Sequence, residues 1–248
     1  MTNADSVTMI GGGIMGSGIG QAFLQNGYEV VIRDIDEDIL KEAEERIESG
    51  NFGLDRAVEG GYLSEEERED CLDRVEFTTD LEEAVAETDM IIEAVPEDLT
   101  LKGRVFREID EVTDDVPLYT NTSGFSIASL GNALEDPSRL AGAHFFNPAQ
   151  IMNLIEVVEG DSTDQEVVDL MMEAGEDIDK VPIHIQDSPG DYGFVTNRLW
   201  GAMRREAEQV VEQGIATEEQ VNVAMVEGRN LPVGPFEGAG IGEEWGGE

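Results

Sequence analysis

The sequence predicts a doubly wound α/β fold, with a mostly parallel sheet followed by a small all-helical C-terminal domain. Three observations carry this prediction. Short apolar, β-branched runs alternate with segments of helical spacing through the first three quarters of the chain. A glycine-rich turn joins the first run to the first helical segment. After Asp187 the strand-like runs stop, and two amphipathic helical segments follow.

Each element has its own signal. Val7 to Ile10 is short and apolar, as a strand buried on both faces must be. Ile14, Ile19 and Phe23 give helical spacing from Ile14 to Gln25, and Asn26-Gly27 ends that helix. Glu29 to Arg33 is the second strand. Acidic helices are expected over Asp38 to Ser49 and Ser64 to Leu72, around a glycine-containing connection. "DMIIEAV", "VPLYTNTS", "RLAGAHFF", "NLIEVVEG" and "KVPIHIQD" supply five further strands, with helices at Leu99–Glu111 and Ser162–Ala174 among them. "VTNRLWGAMRREAEQVVEQG" and "TEEQVNVAMVEG" form the helical end. Pro189 and Gly190 punctuate the chain there, giving domains at residues 1–187 and 188–248.

Composition narrows the function classes. Of 248 residues 40% are hydrophobic, enough to build a core. Acidic residues number 56 against 15 basic ones, a formal charge of −41. Such a surface repels nucleic acid and anionic membranes, so neither is an expected partner. The acids are spread along the whole chain rather than gathered in a tail, which favours a surface adapted to concentrated salt, where screening shortens the repulsion to a few ångströms. The polar opening "MTNADSV" and the lack of a long apolar run argue against a leader or anchor. Cys71 is the single cysteine, which fits a reducing cytoplasm.

The first chemical motif is Gly11-x-Gly13-x-x-Gly16. It follows a strand, opens a helix, and precedes Asp34, which lies 23 residues after Gly11 at the end of the second strand. In that setting the glycines serve a tight turn, a close approach of backbone to pyrophosphate, and a close helix–sheet contact. The helix N-terminus offers N–H groups and a positive dipole end to phosphates. Asp34 suits the adenosine ribose hydroxyls and repels a 2′-phosphate, so NAD is expected over NADP. This is a Rossmann-type reading; its alternative is a bare strand-to-helix turn.

"IGGGIMGSGIGQAF", "IIEAVPEDLTLK", "NTSGFSI", "HFFNP", "MNLIEVV", "GFVTNR" and "LPVGPFE" occur in the order found in the 3-hydroxyacyl-CoA dehydrogenases, a family this chain resembles over most of residues 5 to 238. The resemblance implies oxidation of the 3-hydroxyl of an acyl-CoA, in fatty-acid breakdown, with hydride passing to NAD. It implies a helical C-terminal domain that forms a homodimer. It makes His144 the general base and Glu156 its partner. Ser123 would contact the substrate oxygen and the nicotinamide region, and Asn197 would hold the acyl group. Gly11, Gly13, Ile14, Met15, Gly16, Asp34, Ala94, Glu97, Lys102, Ser123 and Asn147 match cofactor-contacting positions. Singly, several have structural alternatives: Ser123 as a turn residue, Asn197 as a helix-surface amide, Lys102 as half of a surface ion pair. His184 has no partner of the Glu156 kind and reads as structural; Cys71 has no catalytic setting.

The chemistry of the residues agrees with the resemblance. Taking hydride from a secondary alcohol requires the hydroxyl proton to leave too, and histidine titrates near neutrality. An imidazolium in a dry cleft needs a carboxylate on its other nitrogen. A chain reversal near residue 150 would set His144 and Glu156 face to face on adjacent strands. The chain departs from the family at Gly124, where a second serine is common, and at "VEGGYLSEEE", which lacks a basic residue for the CoA end. "GDYG" lengthens the approach to Asn197, and the ending "GAGIGEEWGGE" suggests a shortened helical domain. Two other readings remain: a dehydrogenase of a non-CoA hydroxy acid, and a non-catalytic dinucleotide-binding protein.

Overall fold

A computed structural model describes residues 4–188, 190 and 192–237; Pro189 and the "GAGIGEEWGGE" ending lie outside them. The chain divides into two units, Met1–Asp191 and Tyr192–Glu248. In the first unit, β1 (Ser6–Ile10), α1 (Ile14–Leu24) and β2 (Glu29–Arg33) form the opening βαβ turn. Then come α2 (Glu37–Ser49), α3 (Leu54–Glu59), α4 (Glu65–Asp73), β3 (Val75–Thr78), α5 (Leu81–Val85), β4 (Met90–Glu93) and α6 (Leu99–Asp110). The unit closes with β5 (Leu118–Thr120), α7 (Ile127–Gly131), β6 (Leu140–Phe145), β7 (Leu154–Glu159), α8 (Gln165–Asp177) and β8 (Val181–Gln186).

The eight strands form one sheet in the order β3-β2-β1-β4-β5-β6-β7-β8. Every pairing is parallel except that of β6 with β7. The doubly wound, mostly parallel prediction therefore holds, and the direction of winding reverses between β1 and β4. The core follows from burial on both faces: Met9, Ile32, Met90, Ile92, Tyr119 and Val157 are fully buried. Helix α1 lies close on the sheet because Gly20 has no side chain; a Cβ there would stand 3.3 Å from Ile32 and Val30.

Helix boundaries follow their caps. Asp36, Asp98 and Ser126 accept backbone N–H groups at the starts of α2, α6 and α7, and Ser64 and Glu67 form a reciprocal capping box at α4. Helix α8 starts later than the apolar spacing suggested. Thr163 is taken by a turn, its hydroxyl accepting from the Gly160 N–H and donating to the Leu140 carbonyl, so the helix opens after Asp164. Strand β5 is shorter than "VPLYTNTS" suggested. The Thr120 hydroxyl turns to Glu93, and the Asn121 side chain accepts the Phe145 N–H, which ends the strand. Strand β3 and the short helices α3, α5 and α7 were not foreseen.

One further expectation changes. His184 does have a carboxylate partner: its Nε2 is 2.7 Å from Oε2 of Glu159 on the neighbouring strand, half exposed at the sheet edge. The Cys71 thiol is buried beside the Leu24 carbonyl, and burial pushes it up from its ordinary value against the pull of Arg74.

The second unit contains α9 (Val195–Glu212) and α10 (Glu218–Arg229). A capping box between Thr217 and Gln220 opens α10. Asn230 ends it in the left-handed conformation, and the Asn222 side chain accepts the Phe236 N–H to fold the following segment back.

The Tyr119 hydroxyl donates to the Val167 carbonyl at 2.7 Å, a buried bond between β5 and α8. Tyr119→Phe removes that bond, the Val167 carbonyl keeping its place in the α8 ladder, and should cost about 1 kcal/mol, a fall in Tm of roughly 2–4 °C by thermal melting. An unchanged Tm would show that the bond is not holding α8 down.

Candidate active site

The C-terminal ends of β1 and β4 define the site. The chain leaves β1 at Gly11 with φ at 108°, which favours glycine. A Cβ at Gly11 would stand 2.9 Å from the Ala94 carbonyl carbon, and one at Gly16 would collide with the Gly11 carbonyl oxygen. Gly13 is different: nothing lies within 4 Å of the place its Cβ would take. It caps α1 without a side-chain hydrogen bond, leaving an open approach to the helix N-terminus. The glycine set thus fits a dinucleotide's pyrophosphate.

Asp34 holds the turn from the other side. Its Oδ2 accepts the Gly12 N–H at 2.8 Å and its Oδ1 the Asp36 N–H at 3.2 Å. Arg46 on α2 donates to the Gly12 carbonyl at 2.8 Å and to the Ser17 hydroxyl at 3.1 Å. The Gly12 residue is therefore gripped at both its N–H and its C=O. Arg46 was not singled out from the sequence; on an acidic amphipathic helix it reads as a surface charge.

A cleft of about 510 Å³ opens over these strand ends. Its wall includes Gly11, Gly13, Ile14, Met15 and Asp34 from the first βαβ turn, Ala94 and Glu97 after β4, Ser123 after β5, and His144 and Asn147 at the end of β6. Ile39, Val95, Pro96, Asn121, Phe145 and Phe146 also line it and were not foreseen. Gly16 stands behind the loop. Asn197 lies in the first turn of α9 and belongs to the second unit.

His144 and Glu156 are register partners across the antiparallel β6–β7 pair. Nδ1 of His144 is 2.8 Å from Oε2 of Glu156, and the two side chains are 6% and 0% exposed. A buried carboxylate requires such a donor. With an ionised Glu156 at Nδ1, the neutral imidazole carries its proton there and its lone pair on Nε2. Phe146 covers the ring, with centroids 4.4 Å apart.

Lys102 is buried at 1% exposure, behind the wall rather than on it. Its Nζ is 2.8 Å from Oε1 of Glu93 and 3.4 Å from Oε2 of Glu97. This excludes the surface ion pair weighed as its alternative. Glu93 was also missed, although a carboxylate in the apolar run "MIIE" is the same signal that marked Glu156. Burial pushes the Glu93 carboxyl up, opposed by Lys102, the Thr120 hydroxyl and the Val95 N–H. At Glu97 burial also pushes upward, but the Thr122 hydroxyl, the Ser123 N–H and Lys102 together outweigh it and hold the carboxyl below its ordinary value.

A depressed carboxyl stabilises the fold above its unfolded pKa and loses that contribution as pH falls through the folded one. Glu97→Gln removes this term. Its Tm should therefore fall less than that of the unmodified chain between about pH 5 and about pH 3. Parallel Tm-against-pH curves for the two proteins would contradict it.

Comparison with known proteins places this geometry. The family description "3-hydroxyacyl-CoA dehydrogenase, NAD binding domain" matches residues 6–188, and "3-hydroxyacyl-CoA dehydrogenase, C-terminal domain" matches residues 193–240. The chain is 36% identical to the mitochondrial hydroxyacyl-coenzyme A dehydrogenase of Sus scrofa over 234 residues, 93% of this chain and 74% of that one. It is 34% identical to the 3-hydroxybutyryl-CoA dehydrogenase of Clostridioides difficile, covering 93% and 80%. The crystal structure of (S)-3-hydroxybutyryl-CoA dehydrogenase from Ralstonia eutropha superposes with a TM-score of 0.89 at 32% identity, over 94% of this chain and 80% of that one. The chain belongs to the 3-hydroxyacyl-CoA dehydrogenase family.

Proposed function

We propose that this chain oxidises the 3-hydroxyl of a 3-hydroxyacyl-CoA to a ketone, with NAD as cofactor and His144 as general base. The observation that carries the reading is the buried His144–Glu156 pair in the wall of the cleft. NAD, when bound, supplies the hydride acceptor. The Gly11–Gly16 turn, the α1 N-terminus and Asp34 are the groups that would hold it.

His144 takes the proton of the substrate hydroxyl. Glu156 then stabilises the imidazolium and keeps the ring in one tautomer. Phe145, Phe146, Ile14 and Met15 give the cleft apolar walls, which strengthen that ion pair by keeping the local dielectric low. Ser123 meets the substrate oxygen, and Asn197 holds the acyl group. A homodimer belongs to the same proposal, supported by the exposed Leu199, Ile215 and Val223 of the second unit. A salt-rich cytoplasm is supported by the −41 charge and the single cysteine. Among the described residues no helix is long and apolar enough to cross a membrane.

His144→Gln should lower kcat by about 10²–10⁴-fold while NADH binding stays close to normal, because the cofactor is gripped elsewhere. Glu156→Gln should also lower kcat strongly, and the double variant should be scarcely worse than His144→Gln alone. The assay is NADH absorbance with acetoacetyl-CoA. Folded His144→Gln protein turning over at a near-normal kcat would end this mechanism.

Asp34 sets the cofactor choice. Asp34→Ala should raise KM for NAD, since Gly12 loses its acceptor, and should narrow the preference over NADP. Equal kcat/KM with both cofactors in the unmodified enzyme would overturn the assignment.

A further inference from the structure

Strand β4 reads Met90, Ile91, Ile92, Glu93, and all four are fully buried. Helix α6 buries Lys102, Val105, Phe106 and Ile109, so Lys102 occupies the first position of an otherwise apolar stripe. Two charges have thus been placed where the pattern of both elements calls for hydrocarbon.

Stability does not explain this placement. Taking both charges out of water costs several kcal/mol per ion, and apolar residues of similar volume are often as stable or more so. The explanation lies in what the pair touches next. Glu93 accepts from the Lys102 ammonium at 2.8 and 3.1 Å, from the Thr120 hydroxyl at 2.7 Å and from the Val95 N–H at 2.7 Å. The ammonium has three hydrogens. The acceptors around it are the Glu93 carboxylate, the Val95 carbonyl at 3.3 Å and Oε2 of Glu97 at 3.4 Å. Glu97 stands on the cleft wall, partly exposed. Its Oε1 accepts the Thr122 hydroxyl at 2.7 Å, the Ser123 N–H at 2.9 Å and the Ser123 hydroxyl at 3.2 Å.

We infer that the buried Glu93–Lys102 pair is a positioning device: it fixes the Glu97 carboxylate and, through it, the Ser123 turn against the cofactor cleft. Glu93 anchors the ammonium, the ammonium holds one oxygen of Glu97, and the other oxygen holds the turn. The Thr120 hydroxyl ties the end of β5 to the same anchor, so the strand and the turn that follows it are set by one buried carboxylate. Glu93 and Lys102 act through Glu97 and are positioning residues. The wall is set before any ligand arrives, which reduces the ordering cost of binding. The excess negative charge of the three groups is left on Glu97, facing the cleft.

The inference rests on reading the cleft as the NAD site. The test uses NADH fluorescence titration, which needs no turnover, together with Tm. Lys102→Met alone strands the Glu93 charge and should lower Tm strongly. Adding Glu93→Met should restore most of the Tm but leave NADH affinity about tenfold weaker, the scale of one lost charge-assisted bond. Placing Glu97→Gln on that double variant should then weaken NADH no further. In the unmodified protein the same Glu97→Gln change should weaken it several-fold. A refolded double variant that binds NADH within twofold of the unmodified protein would show the pair to be structural only. Should the double variant fail to fold, Glu97→Gln alone decides, because unchanged affinity there overturns the inference too. Failure of the unmodified protein to bind NADH is a separate result, and it would sink the cofactor reading itself.

Discussion

The approach of the first glycine turn to the end of β4 is the constraint on which this molecule depends. Gly11 lies so close to the Ala94 backbone that no side chain fits between them. The sheet winds one way from β1 to β3 and the other way from β4 onward, and that reversal opens a crevice above the strand ends. Only because the backbones are pressed together at its floor do Asp34, Glu97, Ser123 and His144 face one space. A bulkier residue at Gly11 or Gly16 would move α1 before it touched any ligand, so the loss would register first in the packing of Gly20 and Phe23 on the sheet.

Two buried carboxylates do comparable work on either side of that crevice. Glu93 and Glu156 both interrupt apolar strands, both are 0% exposed, and each is matched to a cationic or protonatable partner. Their contexts differ. Glu156 meets its histidine directly across an antiparallel pair, where opposed side chains stand close. Glu93 reaches its lysine across a helix–sheet contact and spends its remaining acceptor capacity on the next strand and turn. The single antiparallel pairing of the sheet is what lets a residue at the end of β6 share a partner with β7 in register.

Much of this was legible in the residues. The glycine spacing, the β-branched runs and the lone Glu156 in "NLIEVV" each carry a local physical signature, and the strands and helices they imply are present. What was not legible depends on partners distant in sequence. Strand β3 is four half-exposed residues, "VEFT", with a charge in the middle, and forms because β2 offers an unfilled edge. Asn121 looked like one more polar residue after a strand, yet it holds the Phe145 N–H across 24 positions. Lys102 matched a motif position, but its burial behind Glu97 is set by the packing of α6 and has no sequence signal beyond its place on an apolar stripe.

The placement of the few cations connects structure with charge. With 15 basic residues against 56 acidic ones, random placement would leave every Lys and Arg in a crowd of surface carboxylates. Several have instead gone inward. Lys102 and Arg139 are 1% and 5% exposed; Arg139 joins Asp110 to the Thr113 and Val116 carbonyls, and Arg46 grips the Gly12 carbonyl. Mobile ions weaken exposed pairs and leave buried ones nearly untouched. The surface repulsion of this chain is therefore adjustable by salt, whereas the fastenings of Glu97 and of the β5–β6 region are not. Arg46, partly exposed and also paired with Glu42, lies between these limits. Salt then acts on the repulsion within the acidic surface, whereas the Glu97 side of the cleft wall is set by a buried cation that salt hardly reaches.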